Sequence, residues 1–277
     1  QFRYANRKHF LPEGFIKYHT NNFKKYFCLD EKDFVNKNIL DTGVGPGKHA
    51  AVLALMGANV IGLDLSKKNI EKANGLKKAL NIKNLNFKVF NLMNKLDSSN
   101  EYDLISAHNW MQHSENPSRV MSNLVDKLKL NGRFYLSLYQ GNTFRFLIAQ
   151  IAREILDQDD YTTCEKIVRF HFPNGFKQFN NYLDIYLENI FDDFFVPYCN
   201  TTSYQIINDD AQKMGLKAIT KIPSEKLNYN IDNLALRIGF QKVKEVDYKD
   251  SDFSFNKPIN EFQANEIRIR DINKLIK

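Results

Sequence analysis

The sequence predicts an α/β protein, a doubly wound Rossmann-like sheet with an inserted helical cap. Three observations carry that reading. Between residues 38 and 140, short strand-like runs alternate with stretches of helical period, the rhythm of strands joined by crossover helices. The first run ends in ILDTGVGPGKHA, residues 39–50, where an apolar strand breaks into three glycines spaced two apart and then into a helix. Ligands of doubly wound sheets bind at the carboxyl ends of the strands, where such a turn lies. Beyond Gln140 the rhythm stops: residues 143–200 hold 13 aromatics in 58 positions without strand alternation, which reads as a helical insertion.

In order, NILDT reads as a strand, PGKHAAVLALMG as a helix, and ANVIGLDL as the next strand. SKKNIEKANGLKKALN is the second crossover helix, with Ser66 as its N-cap. NFKVFNL, residues 86–92, and YDLISAH, residues 102–108, follow as strands. A helix is expected over residues 117–132 and a fifth strand, RFYLSLYQ, over 133–140. Each helix is long enough for a right-handed crossover. SYQIINDDAQKMGLKAITKI then resumes a helix and a strand that return toward the sheet. The organisation expected is an N-terminal lid segment over 1–37, a core over 38–140, a cap over 141–202, and a return with a C-terminal extension over 203–277.

Composition narrows the class. At 277 residues and 43% hydrophobic, the chain supports one sizeable core. No apolar run reaches the roughly 18 residues of a membrane span, and QFRYANRKHFLPEG has no signal core, so a soluble, cytoplasmic protein is expected. Cys28, Cys164 and Cys199 are widely separated and no Cys/His cluster has metal-ligand spacing, so neither disulfide nor metal is expected. The net charge of +7 is spread over lysine-rich helix faces rather than gathered in an arginine block.

Spacing decides what the glycine turn holds. A phosphate loop of the Gly-x4-Gly-Lys-Ser/Thr type would need a glycine at Thr42 and a hydroxyl at His49. The dinucleotide fingerprint needs a third glycine where Lys48 stands. What remains is Asp41, Gly43, Gly45 and Gly47, an acidic-x-Gly-x-Gly-x-Gly run that resembles motif I of class I S-adenosylmethionine-dependent methyltransferases. Asp64 ends the second strand 21 residues beyond Gly43, where a carboxylate accepts from ribose hydroxyls. Asn91 and Leu92 fall where the family contacts adenine. Tyr102 to Tyr139 is similar to the small-molecule branch of the family through Asp103, Leu104, His113, Pro117, Leu130 and Gly132, with Asn131 in place of a glycine or proline. The resemblance covers residues 38–140 and implies a seven-stranded sheet, S-adenosyl-L-methionine as cofactor, S-adenosyl-L-homocysteine as product, and Asp41, Gly43, Gly45, Gly47, Asp64, Leu65, Asn91, Leu92, His108 and Tyr18 as cofactor contacts.

Methyl transfer from a sulfonium is an in-line displacement in which the protein aligns a nucleophile and, where needed, takes its proton. His113, in the loop after the fourth strand, is a candidate general base, with a second reading as a loop-shaping hydrogen bonder. His108 opens the same loop as a second catalytic candidate. Trp110, the only tryptophan, either lines the acceptor pocket or packs the loop. His49 is read as a cofactor-side packing residue, and Tyr18 and His19 lie in the lid segment.

The run His108-Asn109-Trp110-Met111 lacks the Pro-Pro element of amino-methylating nucleic-acid enzymes. Residues 143–200 carry nine Asp/Glu against five Lys/Arg, the wrong sign for a phosphate backbone. A small-molecule acceptor is therefore expected, methylated on oxygen or nitrogen, with a cationic or polyhydroxylated part and with His171, Asp192, Asp193 and Tyr198 as cap contacts. Two alternatives stay open: a tRNA methyltransferase using the basic segment 1–37, and a non-catalytic protein that binds the cofactor.

Overall fold

The computed structural model describes residues 11–96, 101–139, 162, 166, 170, 202–220, 235–249, 253 and 255. Seven strands form one sheet in the order β3-β2-β1-β4-β5-β7-β6. They are β1 (Asn38–Thr42), β2 (Asn59–Asp64), β3 (Leu85–Val89), β4 (Tyr102–His108), β5 (Leu128–Tyr139), β6 (Leu216–Ala218) and β7 (Ala235–Lys242). β1 through β5 pair in parallel, whereas β7 runs antiparallel to both β5 and β6. The order of strands reverses between β1 and β4, so the binding crevice of such a sheet lies beyond Thr42 and His108.

Five helices flank the sheet among the described residues: α1 (Glu13–Phe27), α2 (Lys48–Leu55), α3 (Lys67–Ala79), α4 (Pro117–Val125) and α5 (Tyr204–Lys213). Their starts are encoded locally. Ser66 Oγ accepts from Asn69 N–H at 3.3 Å at the head of α3, and Asn116 accepts from Arg119 N–H at 2.8 Å at the head of α4, where Pro117 takes the first helical position. Among the described residues no helix is long and apolar enough to cross a membrane.

Two apolar layers sandwich the sheet. Leu40, Ile105, Phe134, Leu136 and Ile238 face α4 and α5, and Ile39, Leu104 and Tyr135 face α1, α2 and their neighbours. Phe23, Phe27 and Phe34 are buried completely on the second side, each worth about 2–3 kcal/mol of removed apolar surface. α1 is thereby fastened across β5 and β7. Its C-terminus is capped by the Arg133 guanidinium, which donates to the carbonyls of Phe27 and Cys28.

Three boundaries depart clearly from expectation. α4 stops at Val125 instead of running to residue 132, and β5 begins at Leu128. The buried Lys242 ammonium donates to the carbonyls of Val125 and Leu128, at 3.1 and 2.9 Å, and so takes the acceptors a further helical turn would use. Pairing with β4 then slips between Tyr102 and Leu104, with Asn131 at a φ of 65°. β3 ends at Val89, three residues early, because Asn91 turns the chain by accepting from Met93 N–H at 3.0 Å.

Candidate active site

The glycine loop leaves β1 with Gly43, Gly45 and Gly47 at φ values of 60°, 52° and 82°. Gly43 and Gly47 have packing reasons to lack a side chain, and a Cβ on Gly47 would lie 2.7 Å from the Phe87 ring and 2.8 Å from Ala73 Cβ. A Cβ on Gly43 would lie 2.2–2.6 Å from ring atoms of Trp110, whereas a Cβ on Gly45 would meet nothing within 4 Å. Gly43 admits an indole, and Gly45 leaves open space above the backbone, the feature a ligand needs for close approach.

The loop is tied to the end of β2. Asp64 is 8% exposed. One of its carboxylate oxygens accepts from Gly45 N–H at 2.8 Å, and the other from Ser66 N–H at 2.8 Å and Asn69 Nδ2 at 3.2 Å. Of the roughly four acceptor positions of a carboxylate, about one remains. Asp64 can thus accept one ribose hydroxyl as it stands, and both only if one present donor yields. Leu65 beside it is 69% exposed, whereas Leu92 is 5% exposed and packed into the α4-side core. Of the two apolar candidates Leu65 offers the open surface, and the structure makes Leu92 a core residue. Asn91 is exposed, with its side-chain oxygen engaged by Met93 N–H.

Asp41 lies under the loop at 2% exposure, with one carboxyl oxygen unpartnered among the described residues. Burial pushes its carboxyl up to about 7, against the opposing pull of Ser106 and of the Thr42 backbone. Thr42 Oγ1 donates to the Ser106 carbonyl at 2.8 Å and accepts from Trp110 Nε1 at 3.2 Å, which fixes the indole over Gly43. Trp110 therefore packs the loop while covering the first glycine.

His108 does not stand alone. Its ring centroid is 4.4 Å from that of His49 and 6.1 Å from that of His19, and His19 and His49 are 4.3 Å apart. Phe15, Phe23 and Tyr135 close around these imidazoles. Burial lowers His19 to about 4 and His108 to about 3, with the nearby Arg237 cation adding to both, and it holds His49 well below its ordinary value. Three neutral imidazoles thus line the carboxyl ends of β1 and β4 beneath α1. Among the described residues no group of three His, Cys, Asp or Glu side chains could hold a metal ion.

His113 ends a short 3-10 turn (Met111–His113), with its Nε2 3.2 Å from Gln112 Nε2. The loop holding it is pinned by Asn109, at a φ of 55°, whose N–H donates to the Ser137 carbonyl at 2.9 Å and whose side chain accepts from Ser137 Oγ. Tyr18 is half exposed and its hydroxyl accepts from Arg237 Nη1 at 3.3 Å. Hydrogen bonds from Asn22 and then Arg237 lower its phenol. His171, Asp192, Asp193 and Tyr198 lie outside the described residues. Sequence reasoning singled out neither Arg237 nor the grouping of His19 and His49 with His108. Arg237 sits in LALRIGF, a plain strand, and no local signal marks it.

Residues 33–182 match the family model of a methyltransferase domain, more than half of the chain. The ubiquinone biosynthesis O-methyltransferase of Rickettsia conorii (strain ATCC VR-613 / Malish 7) is 31% identical over 124 residues, which are 45% of this chain and 42% of the relative. The protein of the same name from Marinobacter nauticus (strain ATCC 700491 / DSM 11845 / VT8) is 25% identical over 139 residues, 49% of this chain and 58% of the relative. The chain spans about half the length of the curated relatives it matches. The solved structure of PKMT2 from Rickettsia typhi in complex with AdoHcy has the same fold, with a TM-score of 0.55 and 16% identity over 80% of this chain and 52% of that one. With the acidic-x-Gly-x-Gly-x-Gly loop on β1 and its sheet order, the chain belongs to the class I S-adenosylmethionine-dependent methyltransferase family.

Proposed function

We propose that the chain catalyses in-line transfer of a methyl group to an oxygen or nitrogen of a small-molecule acceptor. The observation that carries this reading is the link from Gly45 N–H to Asp64, which joins an open glycine loop to an acceptor-rich carboxylate at the end of the neighbouring strand. The residues present fit the family's cofactor: open space above Gly45, one spare acceptor position on Asp64, an exposed Leu65, and an unpartnered oxygen of Asp41 beneath the loop. When bound, S-adenosylmethionine supplies a methyl group already activated on sulfur, so no group of the protein has to activate it.

The chain's own task is positioning. Asp64 holds Gly45 in place, and Thr42 fixes Trp110 across Gly43. A base with a pKa near 3 has little proton affinity at neutral pH, so His108 is read as a hydrogen-bonding partner of the acceptor rather than its base. His113 keeps the role of candidate general base on the rim of the site. The relatives named O-methyltransferases support oxygen as the accepting atom. We assign the cap role to residues 141–202, with His171, Asp192, Asp193 and Tyr198, on composition, and the cytoplasm as the location.

The test is a melting experiment followed by turnover. S-adenosylhomocysteine should raise the melting temperature while NADH and ATP do not, and Asp64→Ala should weaken that rise. Methyl-labelled S-adenosylmethionine should then label a small molecule in a metabolite extract. No shift with S-adenosylhomocysteine removes the cofactor site, and a shift without labelling leaves a binding protein rather than an enzyme.

A further inference from the structure

Arg237 is the charged group of this site that methyl transfer leaves without a task. It is paired with Ser137 on β5, and Ser137 is paired with His108 on β4, so the three residues occupy one row across the carboxyl end of the sheet. Its Nη1 donates to Tyr18 OH, and its Nε is buried with no hydrogen-bond partner among the described residues. No ion pair among the described residues includes it. The groups that feel its charge are His19, His49, His108, Tyr18, Tyr26 and Tyr135, none of them a carboxylate. Among the described residues this partly buried guanidinium has no counter-charge, and buried charges in folded proteins are otherwise paired.

Its place decides what the counter-ion belongs to. β7 stands three strands from β1 and four from β2 in the sheet, so at about 4.8 Å per strand its backbone is roughly 14 Å from that of the glycine-loop strand. That is the side of the crevice away from Gly45 and Asp64. One guanidinium with a phenol beside it and no second cation on the same row matches a single negative charge, and its planar fork fits a carboxylate. The surrounding rings suit an aromatic body.

We propose that Arg237, held by Tyr18, anchors a carboxylate of the methyl acceptor, which makes the substrate an organic acid, most simply an aromatic one. This rests on the methyltransferase reading and reverses the cationic acceptor expected from the acidic composition of residues 143–200.

The experiment titrates benzoate, cinnamate and indole-3-acetate, each against its primary amide, into full-length protein saturated with S-adenosylhomocysteine, with heat as the readout. At least one acid should bind the wild type tenfold or more tightly than its amide. Arg237→Gln should erase that preference, Arg237→Lys should keep part of it, and both should bind S-adenosylhomocysteine within about twofold of wild type. Because the acid-against-amide comparison needs only wild-type protein, misfolding of a variant does not shield the proposal. No acid exceeding its amide overturns it. A tenfold loss of S-adenosylhomocysteine affinity in Arg237→Gln also overturns it, by giving the guanidinium to the cofactor's own carboxylate. Failure of wild type to bind S-adenosylhomocysteine would instead strike the methyltransferase reading itself.

Discussion

Acidification from pH 7 to 4.5 is expected to destabilise the folded chain through its buried imidazoles. A histidine whose folded pKa lies below its unfolded value binds the proton more weakly when folded, so the unfolded chain takes it up first. The contribution is complete above pH 6.5 and is lost as pH falls toward 4 for His19 and 3 for His108. At about 1.4 kcal/mol per unit, the two units down to pH 4.5 remove about 3 kcal/mol for each. Asp41 acts in the opposite sense: with a folded pKa of about 7 its contribution is present below the unfolded value and lost as pH rises through 7, so acidification returns about 3 kcal/mol. The net is a loss of about 3 kcal/mol, to which His49, lowered in the same direction, adds. Urea unfolding at half-unit steps of pH measures it, and His108→Gln isolates one imidazole. The variant's stability should fall less steeply than wild type, by about 1.4 kcal/mol per unit, between pH 6.5 and 4.5. Parallel curves for wild type and His108→Gln would refute the claim that this imidazole is buried and neutral.

Three further outcomes are expected. Gly43→Ala should cost about 3 kcal/mol or more, from left-handed strain plus collision with the indole, but only about 1–2 kcal/mol in a Trp110→Ala background; equal cost in both backgrounds would remove Trp110 from the glycine. Lys242→Met strips the donor from the Val125 and Leu128 carbonyls and should lower stability by about 2–4 kcal/mol while leaving the melting shift with S-adenosylhomocysteine intact, as read by scanning calorimetry. Trp110, the only tryptophan in the sequence, lies against the glycine loop, so its emission should change in proportion to occupancy by S-adenosylhomocysteine. Constant emission at a concentration that saturates the melting shift would contradict its placement.

What was legible in the sequence was what short stretches decide for themselves. β1 and β4 lie where NILDT and YDLISAH placed them, and Ser66 caps α3, because short apolar runs between polar stretches and a serine ahead of a helical period act locally. All three loop glycines take positive φ, which their lack of a side chain permits. The early start of β5 was not legible, since it depends on Lys242, more than 110 residues away, taking the carbonyls at the end of α4. Nor was the row holding Arg237. Tyr18 and Arg237 meet across 219 positions, and only the antiparallel insertion of β7 beside β5 brings that strand's third residue opposite Ser137.

The same long-range assembly explains why the imidazoles and the guanidinium belong together. Leucine or phenylalanine at positions 19, 49 and 108 would fill the space beneath α1, but would remove three of the polar rings near Arg237 and leave its hydroxyl neighbours, Tyr18 among them. Imidazoles held neutral by burial keep the low-dielectric surroundings of an apolar layer while still offering a donor and an acceptor each. In such surroundings the field of one cation reaches farther than in water, and the Arg237 charge is felt at all three rings. α1 is what creates the condition: Phe23 and Phe27 bury it against the sheet, and the Arg133 cap fixes its end. Loosening α1 with Arg133→Ala should therefore let the histidines titrate closer to their ordinary value, flattening the acid limb of the stability profile as it lowers stability at pH 7.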